Sequence, residues 1–189
     1  MLGAAGITSK TGDISITAQD NLQLTRIASE SGNLALTAAT GSISDASPNE
    51  TLNLATAAAV WLQAGLSIGG NQPADDLNIS AGQLDAVSGR NGIFLTSPGS
   101  LAVTRNGLLS GGSNGAVRVR AGGELRVLRP VLATTGGISV TAAEVVLAGT
   151  GEIQTLVGDI TIIADVAGLS MSQNSFIDAA GDATVQTIT

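Results

Sequence analysis

Along this chain, apolar side chains recur at the second and fourth positions after a turn residue, usually Gly, with small or polar residues between them. The leading pairs are Ile14/Ile16, Leu34/Leu36, Leu52/Leu54, Leu77/Ile79, Ile93/Leu95, Val117/Val119, Ile138/Val140, Ile160/Ile162 and Ala183/Val185. A period of two is the mark of a strand with one face buried. Segments such as LATAAAVWLQAG contain good helix formers, but the spacing, the 25 glycines and the many Ile, Val and Thr residues favour strand. The pattern starts roughly 16 to 25 residues apart, a period that signals stacked repeat units.

One unit is legible in GDISITAQDNLQLTRIASES from Gly12. Ile14 and Ile16 alternate with Ser15 and Thr17, and Leu22 and Leu24 repeat the alternation after the turn-rich AQDN. Ile27 adds a third, shorter apolar contact before Gly32. Second pairs at matching offsets follow in Val60/Leu62, Leu101/Val103 and Leu125/Val127, while Val145/Leu147 and Leu169/Met171 are displaced by one residue, as a bulge would do. Ala18, Ala38, Ala81, Ala121, Ala142 and Ala164 share one offset, which suits a tight interior corner.

Antiparallel hairpins would not keep fixed offsets from one turn to the next, whereas coils of a parallel solenoid would. Stacking at ~4.8 Å turns each apolar position into a continuous column, and about nine rungs of roughly 21 residues make a rod roughly 40 Å long. The expected fold is an all-β parallel β-helix or solenoid forming a single segment over residues 1–189. Irregular stretches around 45–90 (SDASPNE, GGNQPADD, VSGRNG) read as turn insertions on one side. The pattern begins almost at Met1 and breaks off within a repeat at Thr189, so a piece of a longer repeat protein is expected.

Composition narrows the chemistry. Hydrophobic residues make up 43% of the chain but aromatic residues only 2%, Trp61, Phe94 and Phe176, so aliphatic side chains must fill the interior. The chain has neither Cys nor His, which removes thiol and imidazole catalysis and the commonest transition-metal ligands; no cofactor or metal is expected. A net charge of −7 argues against nucleic-acid binding, and no apolar run is long enough for a membrane-spanning helix.

GDISITAQDNLQLT, GNLALTAATGSI and GDITIIADVAGLSM resemble the repeats of filamentous-haemagglutinin-type bacterial surface adhesins over essentially the whole chain. That resemblance implies a right-handed β-helix shaft, secretion (often by a two-partner route) and a role in attachment. The Asn-Pro motifs of that family's secretion domain are absent, so the implied part is shaft.

Candidate sites are few. Six of the eight basic residues, Arg90, Arg105, Arg118, Arg120, Arg126 and Arg129, fall between 90 and 129, where only Glu124 is acidic. Arg118 and Arg120 alternate with Val117 and Val119 and so point outward, with Phe94 and Thr96 at the same offsets one rung below. An exposed Phe94 beside Arg118 and Arg120 would suit an anionic glycan, through ring stacking and bidentate guanidinium contacts. The plainer readings are a solvated face with Arg stems lying on apolar surface, and Phe94 packed against an insertion.

Asp13, Asp76, Asp159 and Asp182 share an offset, with Asp159 and Asp182 expected as neighbours. Stacked carboxylates can serve calcium or a polysaccharide-cleaving enzyme, but Asp after Gly is also an ordinary turn residue. Thr17, Thr37, Ser80, Thr96 and Thr141 form an outward series resembling that of ice-binding solenoids, although the adjacent outward positions are irregular. Asn49 and Asn78 begin formal glycosylation sequons.

The leading expectation is a non-enzymatic shaft segment of a secreted or cell-surface bacterial adhesin. Its expected partners are adjoining repeats of the parent chain, host or matrix glycans, and a second copy in end-to-end association. A β-helix enzyme acting on polysaccharide and an ice- or surface-binding solenoid are the alternatives.

Overall fold

Alternating aliphatic side chains bury one face of each short strand, and the chain satisfies both needs, apolar burial and backbone pairing, by stacking each strand on the coil before it. The computed structural model describes residues 6–47 and 51–187. Among the described residues there are twenty strands, no α-helix and one 3-10 turn, Pro73–Asp75. Every strand pairing is parallel, and all the strands join one hydrogen-bonded array. The fold is an all-β solenoid of about eight turns, with 61% of the described residues in strands.

Inward residues stack as continuous columns. Leu22, Ile43, Ile68, Ile93, Val117, Ile138, Ile160 and Ala183 form one of them. A second runs through Ile14, Leu34, Val60 and Leu84, and a third through Ile7, Ile27, Leu54 and Ile79. Leu34, Ile43, Leu54, Val60, Ile68, Ile79, Leu84 and Ile93 are fully buried.

These columns correct the phase read from the sequence. The leading pairs of the first two rungs do not lie beneath those from Ile93 onward. Ile14 and Leu34 continue into Val60, whereas Ile93 sits above Ile68, Ile43 and Leu22. Leu54 belongs to neither of these columns, since it pairs with Ile27 and Ile79. Unequal turn lengths let similar pairs enter different faces of the coil, which is why about nine starts collapse into about eight turns.

The one-residue displacements are bulges, as expected. Register shifts between Ala121 and Glu124 and between Ala142 and Glu144 restore the pairing of Leu125 with Val145 and of Val145 with Leu169. The small-residue corner is real but double. Ala18, Ala38 and Ala64 stack on one face and Ala121, Ala142 and Ala164 on another. Thr17 pairs with Thr37, but Gln63 follows, and Arg120 and Ile163 interrupt Thr96 and Thr141, so the Thr series forms no regular ladder.

Candidate functional site

The strands Gly92–Ser97 and Val117–Val127 pair with Phe94 opposite Arg118 and Thr96 opposite Arg120, the juxtaposition expected from their offsets. Their surroundings differ from that expectation. The chain leaves the strand Ser67–Ile68 through Gly69 at φ 70, passes the 3-10 turn and returns at Asp76, laying a loop over this face. An added Cβ at Gly69 would lie 2.1 Å from the Phe94 carbonyl oxygen, so the left-handed turn requires glycine there.

Beneath that loop Phe94 is only 4% exposed. The Arg118 guanidinium lies 4.9 Å from its ring centroid, and all three of its nitrogens donate to protein acceptors. It pairs with the fully buried Asp76 carboxylate through Nη2 and, at 3.4 Å, through Nε. Nη1 donates to the Asn71 carbonyl at 2.9 Å and Nη2 to that of Gly70 at 3.1 Å. The Thr96 hydroxyl also donates to Asp76 Oδ2, at 3.0 Å.

Phe94, Arg118 and Asp76 therefore form an internal clasp for the inserted loop, the packing reading given above, and not an exposed platform for an anionic glycan. Arg120 does point to solvent, but it stands apart from the clasp and makes no ion pair among the described residues.

Two other outward positions are also covered by chain. Asn53 and Asn78, at outward positions by alternation, are buried. Asn53 Oδ1 accepts the Asn78 amide at 2.8 Å, and its Nδ2 donates to Asp45 Oδ1 at 2.6 Å and to the Leu24 carbonyl at 3.2 Å. The Asn78 sequon is thus inside the protein; Asn49 lies outside the described residues.

Turn aspartates join successive coils. Asp13 Oδ1 accepts the Asn33 amide at 2.7 Å, and Asp159 Oδ1 accepts the Asp182 amide at 2.9 Å. This is a turn role, but one in which the carboxylate bonds the next rung and not its own backbone. Asp159→Ala is expected to cost about 0.5–1 kcal/mol, read as a small fall in thermal midpoint; no change at all would show that the bond contributes nothing. Among the described residues no group of three or more His, Cys, Asp or Glu side chains is placed to hold a metal ion.

A second cluster, not singled out by sequence, lies on the face carrying Trp61. The strand Ala59–Ala64 buries Val60 and Leu62 and turns Trp61 outward, directly below Asp85 of the strand Gln83–Ser88. One rung higher the strand Leu101–Ser110 bulges at the turn sequence Arg105-Asn106-Gly107. Asp85 Oδ1 holds this bulge by accepting the Asn106 and Gly107 amides at 2.7 and 3.1 Å. Arg105 takes φ 47, the one positive-φ residue other than glycine among those described, and its guanidinium lies 4.3 Å over the Trp61 ring.

Asp85 is only 5% exposed, and its Oδ2 has no hydrogen-bond partner; neither has Trp61 Nε1. Burial pushes the Asp85 carboxyl above its ordinary range, against the opposing pull of the two amides and of Arg105. A raised folded-state value stabilises the fold at low pH, and that contribution disappears as pH rises through the folded pKa. The stability of Asp85→Asn relative to wild type should therefore increase from about pH 4 to about pH 7 in thermal melts; a pH-independent difference would contradict this assignment.

No protein-family model, curated protein or solved structure matches this chain. Fold and clusters define it as a parallel β-solenoid repeat protein. No helix among the described residues is long and apolar enough to cross a membrane.

Proposed function

We propose that this chain is a non-enzymatic shaft segment of a secreted or cell-surface bacterial adhesin, a stiff spacer that holds binding elements away from the cell. The observation that carries this reading is the unbroken apolar column from Leu22 to Ala183, sealed on every rung by parallel backbone pairing. Bending such a rod would break ladder hydrogen bonds and open a close-packed interior together. Its carboxylates support the same reading, because Asp13 and Asp159 bridge coils and Asp76 neutralises Arg118.

Adjoining repeats of the parent chain are the natural partners of the last described coil, where Met171, Phe176 and Val185 are 45%, 43% and 46% exposed. An antibody against the folded chain should label intact cells of the source organism. Labelling only after permeabilisation would overturn the surface assignment. Release of unsaturated oligosaccharides from pectin or alginate would overturn the non-enzymatic one.

A further inference from the structure

The Trp61 face holds groups that a spacer does not need. The Arg105 guanidinium lies over the Trp61 ring, a contact that engages its charge but none of its N–H donors in a hydrogen bond. Those donors meet no acceptor among the described residues, in contrast to Arg118, each of whose three nitrogens donates to Asp76 or to a loop carbonyl. The arginine is also fixed in place. Its left-handed backbone is costly for a residue with a Cβ, and the buried Asp85 carboxylate holds the bulge that imposes it.

A groove of about 230 Å³ opens beside these groups, lined by Trp61, Asp85, Arg105 and Asn106 together with Thr37 and Gln63. Arg105, Asn106 and Gln63 are exposed, and Asp85 lies at the floor.

We infer that this groove binds a single hexuronate unit of an acidic saccharide. The sugar carboxylate takes the Arg105 fork in the bidentate geometry that guanidinium favours. Its hydroxyls meet the Gln63 and Asn106 amides, which both donate and accept. The size of the groove, below the ~300–1,000 Å³ of pockets that enclose drug-sized ligands, suits one ring. Charge selects among anions. Arg105 is the only basic side chain lining the groove, so a monoanionic carboxylate is favoured over a phosphate or a densely sulfated chain. The inference is independent of the shaft reading, and either can fail without the other.

Trp61 is the single tryptophan and the chain has no tyrosine, so intrinsic emission reports this site alone. Titration of the intact chain with trigalacturonate should give a saturable change in emission, with half-saturation at about 1 mM or below. Arg105→Gln should weaken binding by about tenfold or more, Gln63→Ala by about threefold, and Arg120→Gln not at all, each variant keeping the wild-type circular dichroism spectrum. The strand position of Gln63 makes it the check that survives if Arg105→Gln disturbs the bulge. Absence of a saturable response at about 10 mM, or Gln63→Ala binding like wild type, would overturn the site. An equal response to maltotriose would overturn the acidic class, an equal response to acetate the saccharide class, and tighter binding of a sulfated oligosaccharide the preference for a carboxylate.

Discussion

Arg118→Ala is expected to destabilise the chain by about 3–5 kcal/mol, because it leaves the Asp76 carboxylate buried without its counter-ion. The same substitution frees the Asn71 and Gly70 carbonyls and strips the cation from the Phe94 ring, so the damage should centre on the inserted loop. Urea unfolding should show the lowered midpoint, and amide hydrogen exchange should show early loss of protection around 69–76. Removing both partners should cost less than the sum of the single substitutions, since the double variant leaves no orphaned charge. Arg120→Ala is the internal comparison. It shares the strand and the alternation but not the burial, and should change stability by less than about 0.5 kcal/mol. Equal effects at 118 and 120 would show that the clasp is not holding the loop.

Asn53→Ala should cost about 2–3 kcal/mol, the second large effect. The loss orphans the buried Asn78 amide, which has Asn53 Oδ1 as its acceptor, and removes a donor to Asp45 at a position with 0% exposure. Asn53→Asp keeps the acceptor but confronts Asp45 with a second carboxylate, so it should be no milder at neutral pH and should improve as pH falls. Thermal melts of the two variants at neutral and acid pH test both statements. A cost below about 0.5 kcal/mol for Asn53→Ala would mean that the Asn78 amide finds another acceptor.

Both effects fall on residues that alternation places outside the coil. Phe94, Arg118, Asn53 and Asn78 do point away from the central aliphatic columns, so the orientation read from the sequence is sound; what it lacks is the chain that folds over them, the inserted loop at Arg118 and the segment carrying Asp45 and Ser47 at Asn53. An outward side chain is solvated only if nothing folds over it, and the loop between Gly69 and Asp76 reaches Arg118 from more than forty residues away. The Trp61 cluster was hidden for a related reason. Trp61, Asp85 and Arg105 are ordinary residues in separate rungs, and only stacking brings them to one place. The available hints were an outward aromatic between Val60 and Leu62 and the Asn-Gly turn signal at Asn106-Gly107, which together mark a turn near an outward ring.

By itself the sequence determined the strands, their parallel stacking and the aliphatic interior. Each of these follows from local alternation and from turn residues recurring at short intervals, and so is written residue by residue. It also removed thiol and imidazole chemistry, because the chain contains neither group. Tertiary structure decided which column each apolar pair joins, as at Leu54, which stacks on Ile27 and not on Leu34. It decided as well that Arg118 is spent on Asp76 while the donors of Arg105 remain open. The physical reason is common to both. Column membership and charge pairing depend on how much chain each turn consumes and on which distant segments then coincide, and small differences in turn length shift that coincidence without disturbing the alternation that builds the strands.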